Sequence, residues 1–112
     1  MSEPIISTNP LYMLLRTGEI DQFNARRAAG EAYDLRGCDL RGLDLRRLEA
    51  RGLDLRDCYL RQADLRGIDL RESLLEGASI VGARISGTYF PASLAPEEIN
   101  LSLLHGTRMR SG

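Results

Sequence analysis

The amino-acid sequence predicts an all-β solenoid, in which the chain bends after every fifth residue and stacks its turns around one apolar core. Three observations support this prediction. Every fifth residue from Leu35 to Phe90 is apolar. In the first eight repeats the residue after this centre is always Arg, and the residue before it is acidic except at Tyr59. The fifth position of most repeats is Gly.

A period of five fits neither an α-helix nor a continuous strand. Five helical residues turn by about 500°, so the apolar centres would wind around the axis instead of forming a stripe. In a continuous strand, an odd period would place successive centres on opposite faces. If the chain is extended for about three residues and then bends, the centre and the residue two before it both point inward. Gly then suits the bend, and stacked turns bury a continuous core.

Composition limits the classes of function. The 112 residues are enough for one domain. The 15 basic residues, all of them Arg, are balanced by 16 acidic ones, so no net field attracts nucleic acid or an acidic membrane. The two cysteines, Cys38 and Cys58, are too few for a disulfide scaffold. The first residues, MSEPIISTNP, lack a signal-peptide pattern. We therefore expect a cytoplasmic protein without a membrane segment.

The repeats CDLRG, ADLRG and LDLRR resemble the pentapeptide repeat family, whose consensus is A-(D/N)-L-x-x. Twelve repeats match, over residues 33–92. The resemblance implies a right-handed quadrilateral β-helix with four repeats per coil, and therefore about three coils here. The family prefers a small residue two places before the centre. This chain departs from that preference at Leu43, Leu48, Leu53 and Ile68.

Four repeats per coil would stack residues that are twenty positions apart. Cys38 would then lie below Cys58, which we interpret as two small buried apolar groups rather than a metal or redox pair. The outward Asp and Arg residues would form neighbouring stripes of opposite charge. Such exposed pairs contribute little to stability, about 0–1 kcal/mol each.

The N-terminal part of the chain, residues 1–32, predicts a helical cap over the first coil. Asn9 and Pro10 are typical of a helix start, and Gly18 of a helix end. A second helical segment follows and ends at Gly30. An uncapped solenoid would expose its core and unpaired backbone, so we expect these helices to cover it.

The C-terminal part, residues 93–112, completes the same single domain. Pro96 and the two glutamates after it predict the first turn of a short helix that ends before Gly106. The apolar alternation in this segment would suit a strand almost as well. It consists of Ile99, Leu101 and Leu103.

Outward apolar residues replace charges toward the C-terminal end and predict a surface that is covered. The chain's own C-terminal segment can cover it, and so can a second copy of the chain. The family resemblance adds weight to the second alternative, because several members pair through this end. We expect a homodimer in which Leu74 and Leu103 contribute to a two-fold contact. The candidate dimer or partner surface consists of Tyr59, Leu74, Val81, Tyr89, Leu94 and Leu103.

No motif predicts catalysis. The single histidine, His105, lies outside any recognisable nucleophile motif. The glycines recur at bends, not in a phosphate-binding loop, and no EF-hand pattern is present. We therefore expect no enzyme activity, no cofactor and no metal.

The class of function that remains is binding. We expect a scaffold or interaction module for an unidentified protein partner. The family suggests an alternative, since some members mimic duplex DNA and modulate type II topoisomerases such as gyrase. Mimicry needs a long rod with negative faces. Three coils and an Arg beside nearly every Asp argue against it.

A weaker alternative is a polyanion-binding ladder formed by Arg46, Arg47, Arg66 and Arg84. The interleaved Asp44 and Asp64 favour a solvated lattice of charges there. Aromatic residues for base stacking are nearly absent, so nucleic acid is not an expected partner.

Overall fold

The computed structural model describes residues 3–111. Its three helices are α1 (Pro10–Arg16), α2 (Ile20–Ala28) and α3 (Pro96–His105). Between α2 and α3, the repeat region forms no continuous strand within the described residues, and neighbouring turns are joined by isolated parallel bridges. The β structure predicted for the repeat region therefore consists of isolated bridges between single residues, and the regular elements are the three helices.

The bridges of the repeat region join residues twenty positions apart. Asp39 pairs with Tyr59, and Tyr59 pairs with Ser79 one turn later. The backbone N–H of a central residue also donates a hydrogen bond to the next turn, as Leu40 N does to Tyr59 O at 2.9 Å. One turn of the chain therefore contains four repeats. We call residues 33–52, 53–72 and 73–92 the first, second and third coil.

Repeats twenty residues apart form four columns, which we name by their central residues. Column A contains Leu35, Leu55 and Leu75; column B contains Leu40, Leu60 and Ile80; column C contains Leu45, Leu65 and Ile85; column D contains Ala50, Leu70 and Phe90. All central residues are buried except Ile85 and Phe90, which are half-buried. The predicted inward position of the centres is thus confirmed for ten of the twelve repeats.

The larger inward residues also fit into this core. Leu48, Leu53 and Ile68 are buried two places before their centres, while Leu43 is half-buried. Leu48 precedes Ala50, so the repeat that places its large group first has the small group at its centre, and both are buried. This exchange conserves volume in a close-packed interior.

The bends require a left-handed backbone at the fifth position of most repeats. Gly42, with φ of 69°, is one example. Asp57 and Gln62 adopt the same conformation, with φ of 62° and 57°, although they carry side chains. Residues with a Cβ disfavour this region, so these two bends store conformational strain.

The helix α1 covers the N-terminal end of the core. Asn9 Oδ1 accepts hydrogen bonds from Leu11 N at 2.9 Å and Tyr12 N at 3.3 Å, which caps the helix. Leu11 and Tyr12 are fully buried, and the Tyr12 hydroxyl donates to Asp39 O at 2.8 Å. Before α1, Ile5 bridges to Cys38 and extends column B by one more pair.

The helix α2 satisfies backbone groups at the N-terminal edge of columns C and D. Asn24 Nδ2 donates to Arg47 O at 2.9 Å, and Asn24 Oδ1 accepts from Glu49 N at 3.0 Å. Arg27 donates from its guanidinium to Glu49 O at 2.9 Å and also to Arg51 O. The two side chains replace the partners that a further coil would supply.

The C-terminal segment covers the opposite end at columns A and B. Ser102 Oγ accepts from Ile80 N at 3.0 Å, and Leu103 O accepts from Gly82 N at 3.0 Å. Met109 is fully buried and exchanges hydrogen bonds of 2.7 and 2.8 Å with Gly77 N and Ala78 O. Residues 96–105 are helical, so the strand alternative for this segment is wrong. Within residues 3–111, no helix has the length and apolar character that crossing a bilayer requires.

Candidate functional site

Two backbone N–H groups at the C-terminal edge of columns C and D lack an acceptor within residues 3–111. One coil earlier, Leu65 N donates to Arg84 O at 2.9 Å, and Leu70 N donates to Tyr89 O at 2.7 Å. The equivalent N–H groups of Ile85 and Phe90 have no hydrogen-bond acceptor among the described residues. Unpaired backbone beside half-buried apolar side chains is an edge that another chain can extend.

Exposed apolar side chains are present at this end of the stack, in column D and on α3. Tyr89 lies in column D and is 58% exposed, with the Arg71 guanidinium 5.0 Å from its ring centre. Leu101 and Leu104 lie on α3 at the same end of the stack and are 45% and 69% exposed. We name the group of Ile85, Tyr89, Phe90, Leu101 and Leu104 the C-terminal edge.

The structure divides the six residues of the predicted partner surface into two groups. Leu94 is buried, and Leu103 is half-buried against the core. Tyr59 and Val81 are half-buried: the hydroxyl of Tyr59 accepts from Arg108 Nη2 at 2.7 Å, and Val81 lies next to Gly106. The chain's own C-terminal segment thus contacts part of this surface. Leu74 and Tyr89 stay exposed, in columns A and D respectively.

Sequence reasoning missed Leu101 and Leu104 as surface residues. The segment's alternation grouped Leu101 with Ile99 and Leu103 on one face of a strand. In a helix, by contrast, residues three and four apart share a face. Ile99, Ser102 and Leu103 accordingly pack inward on α3, and the helical period is the signal that would have separated the two leucines.

Charges on the sides of the stack are paired inside single repeats. The aspartate before each centre accepts hydrogen bonds from the backbone N and the guanidinium of the Arg after it. In the repeat centred on Leu65, Asp64 Oδ1 accepts from Arg66 N at 3.2 Å, and Asp64 Oδ2 accepts from Arg66 Nη2 at 2.7 Å. We call this arrangement the Asp-x-Arg clamp. Equivalent clamps join Asp34 to Arg36, Asp39 to Arg41, Asp44 to Arg46, Asp54 to Arg56, and Asp69 to Arg71.

The clamps lower the pKa of their carboxyl groups. Hydrogen bonds from Arg66 lower the pKa of Asp64 to about 2, and hydrogen bonds from Arg71 lower that of Asp69 to about 2. Because the carboxylate accepts several hydrogen bonds from a cation and from the backbone, its charged form is favoured. All six clamps are therefore ionised on both sides at neutral pH.

Most of the predicted polyanion ladder is neutralised by such pairs. Arg46 Nη2 lies 2.8 Å from Asp44 Oδ2, and Arg66 Nη2 lies 2.7 Å from Asp64 Oδ2. Arg47 pairs with Asp21 of α2 at 2.7 Å. Arg84 is the one member of the ladder without an ion pair among residues 3–111.

The two cysteines are buried and lack the properties of a reactive site. Cys58 Sγ donates to Leu35 O at 2.9 Å. Burial raises the pKa of Cys38 to about 11 and that of Cys58 to about 12, so both are thiols at neutral pH. Within the described residues, no group of three or more His, Cys, Asp or Glu side chains is arranged to hold a metal ion.

The twenty-residue register and the repeated clamps define a repeat protein. The family model described as Pentapeptide repeats (8 copies) matches residues 34–61 and 54–90, which together span half of the chain. The chain therefore belongs to the pentapeptide repeat family, as the resemblance indicated. No curated protein and no solved structure matches the chain.

Proposed function

We propose that this protein is a non-enzymatic interaction module that pairs with a second copy of itself through its C-terminal edge. Its repeat region would be a right-handed quadrilateral β-helix of about three coils with helical caps. The register of four repeats per turn and the family membership support this architecture. The free buried thiols of Cys38 and Cys58 fit a cytoplasmic location, where reducing conditions preserve them.

The single observation that carries the proposal is the uncovered end of columns C and D. Ile85 and Phe90 are half-buried there, while Leu65 and Leu70 directly before them in the same columns are buried. The backbone N–H groups of Ile85 and Phe90 lack acceptors within residues 3–111. Pairing would remove apolar surface from water at about 25 cal/mol per Å².

We propose a second copy as the partner because the five side chains that define the C-terminal edge are apolar or aromatic. In a two-fold dimer the same patch lies on both subunits, so an apolar patch is complementary to itself. The exposed leucines of α3, Leu101 and Leu104, would extend the contact beyond the stack. Association with a different protein is the alternative outcome of the experiment below.

The test is the mass of the protein in solution, measured by sedimentation equilibrium from about 1 to about 100 micromolar. Wild type should change from monomer to dimer over this range. Leu104→Asp should stay monomeric, because pairing would bury a charge without a partner. The matched control is Ile6→Asp. Ile6 is 70% exposed and Leu104 69%, and Ile6 lies near the N-terminal end of the stack.

The proposal is wrong if wild type stays monomeric at about 100 micromolar. It is also wrong if Ile6→Asp weakens pairing as much as Leu104→Asp does. If the protein stays monomeric and binds a different protein, and Leu104→Asp weakens that binding, the role as an interaction module stands and the partner is not a second copy.

The two alternative functions have less support. Mimicry of DNA toward a type II topoisomerase would need negative faces, whereas each clamp aspartate is held by its own Arg. The longest dimension of the protein is 35 Å, which is about one turn of duplex DNA. Polyanion binding by Arg46, Arg47 and Arg66 would have to break the ion pairs that these residues form.

A further inference from the structure

One repeat of column B has an arginine but no acid to hold it. Tyr59 occupies the position that is acidic in the other seven of the first eight repeats. As a result, the side chain of Arg61 forms no ion pair or hydrogen bond with any residue from 3 to 111, in contrast to that of Arg66 in the next repeat, while Arg61 O accepts a backbone hydrogen bond from Gly42 N. Its guanidinium is an exposed cation with free donors.

Two further arginines lie beside Arg61. Arg16, at the end of α1, reaches Asp39 O with its Nη1 at 3.5 Å. Arg41 belongs to the same column as Arg61, one coil earlier, and pairs with Asp39 at 2.8 Å. A recess of about 340 Å³ opens between them. Its lining residues are Arg16, Asp39, Arg41, Gly42, Arg61 and Gln62, and we name it the arginine recess.

The one carboxylate that lines the arginine recess, Asp39, is already paired with Arg41. The side chain of Asp39 is 4% exposed, and Asp39 Oδ1 accepts from Arg41 N at 3.0 Å and from Arg41 Nε at 2.9 Å. Burial alone raises the pKa of Asp39, but the hydrogen bonds from Arg41 outweigh it and the net pKa is lowered. Asp39 therefore stays ionised and neutralises Arg41. Three cations and one anion give the recess a net charge of about +2.

We propose that the arginine recess binds an oxyanion of the phosphate type. A guanidinium donates two parallel hydrogen bonds that match the oxygens of a phosphate group, and a dianion balances the excess charge of the recess. Space is available, because nothing lies within 4 Å of the position that a Cβ of Gly42 would take. This site differs from the predicted ladder of Arg46, Arg47, Arg66 and Arg84, and it is independent of the pairing at the C-terminal edge.

The experiment titrates the ¹⁵N-labelled protein with inorganic phosphate at about pH 7.5, where phosphate is mainly the dianion. Sodium chloride keeps the ionic strength constant. The resonances of the Arg61 side chain and of the Gly42 and Gln62 amides should shift together and saturate. We expect a dissociation constant on the order of 1 mM or tighter at low ionic strength. Pyrophosphate, titrated in parallel, tests whether the recess takes one phosphate group or an extended one.

Arg61→Gln and Arg84→Gln provide a matched pair. Both remove one positive charge from an exposed arginine that has no ion pair in the described part of the chain, so their effect on the overall field is equal. Arg61→Gln should weaken phosphate binding about tenfold, while Arg84→Gln should change it less than about twofold. Equal effects, or shifts spread over all exposed arginines, would overturn the proposal.

A second pair of variants tests the missing acid. Tyr59→Asp restores the Asp-x-Arg clamp around Arg61 and should abolish saturable binding without removing any arginine. Tyr59→Phe loses only the hydroxyl that accepts from Arg108 and should bind phosphate like wild type. Thermal melts establish that both variants fold. The proposal fails if Tyr59→Asp binds phosphate as wild type does.

Discussion

Asp64 holds both the backbone and the side chain of Arg66, two residues ahead of it in the same repeat. The same relationship recurs in five other repeats. Within the described residues, ion pairs between coils are longer than those of the clamps. Arg46 Nε lies 3.4 Å from Asp64 Oδ2, and Arg51 Nε lies 3.5 Å from Glu72 Oε2. The outward charges are thus organised within repeats and only secondarily along the stack.

The clamps predict a loss of stability in acid. The pKa of Asp64 and of Asp69 is about 2 in the folded protein, below the value near 4 of an unfolded chain. A lowered pKa stabilises the fold above about pH 4, and this contribution disappears as the pH falls through about 2. The melting temperature, followed by circular dichroism from about pH 7 to about pH 1.5, should fall mainly in this window.

Asp64→Asn tests the origin of that loss. The variant should melt below wild type at neutral pH and converge with it near pH 2, because protonation removes the same charge from wild type. Glu97→Gln, which removes an exposed carboxylate outside the clamps, is the control and should melt closer to wild type than Asp64→Asn does at neutral pH. A difference between Asp64→Asn and wild type that is independent of pH would contradict the clamp as its cause.

Substitution of Asn24 tests how much the N-terminal cap contributes to the free energy of unfolding. Asn24→Ala removes the partners of Arg47 O and Glu49 N, and should lower the free energy of unfolding by about 1 kcal/mol. Urea denaturation measures this change. Asn100→Ala on α3 is the matched control: Asn100 is exposed, and no described residue forms a hydrogen bond with its side chain. Equal stabilities for the two variants would show that water replaces the contacts of Asn24.

Gln62 predicts a stabilising substitution. Its φ of 57° disfavours a residue with a Cβ, so Gln62→Gly should raise the free energy of unfolding by about 0.5–1 kcal/mol. Glu72 occupies the same position of its repeat without a positive φ, so Glu72→Gly should destabilise by a similar amount. Paired chemical denaturation curves measure both changes. The interpretation of strain is wrong if both variants change stability in the same direction.

Leu65 tests the core of the second coil. It is fully buried, so Leu65→Asp would bury an unpaired carboxylate, and we expect no cooperative thermal transition. Leu65→Ala should remain folded and lose about 2–5 kcal/mol. Arg61→Ser in the same coil should melt like wild type, because Arg61 is exposed. A Leu65→Asp protein that melts like wild type would contradict the inward position of the centres.

The period of five was sufficient to predict which residues point inward. Leu40, Leu60 and Ile80 are buried in one column, as the alternation of side chains around a bend requires. The starts of α1 and α3 also follow from local signals, since Pro10 and Pro96 each stand in a first helical turn. These features depend on residues that are close in sequence, so they can be predicted from the sequence alone.

Pairing at the surface could not be predicted in the same way. Stacking suggested that stripes of Asp and Arg neutralise each other, whereas the backbone turn brings each Arg back to the Asp of its own repeat. The arginine recess was missed because Arg16 comes from α1 and Arg61 from the second coil. Which cap residue meets which coil depends on how the helix packs, and no periodic pattern encodes it. The homodimer stays a prediction.

The clamp also affects how the stack can change in length. A repeat that neutralises its own charges leaves no unmatched ion behind when it is removed, and imposes none on its neighbours when it is added. Gain or loss of a repeat that carries a clamp would therefore preserve the electrostatic balance of the remaining repeats. A twenty-residue unit built from clamped repeats would add charges that are already paired, so the stack could lengthen without a new charge imbalance.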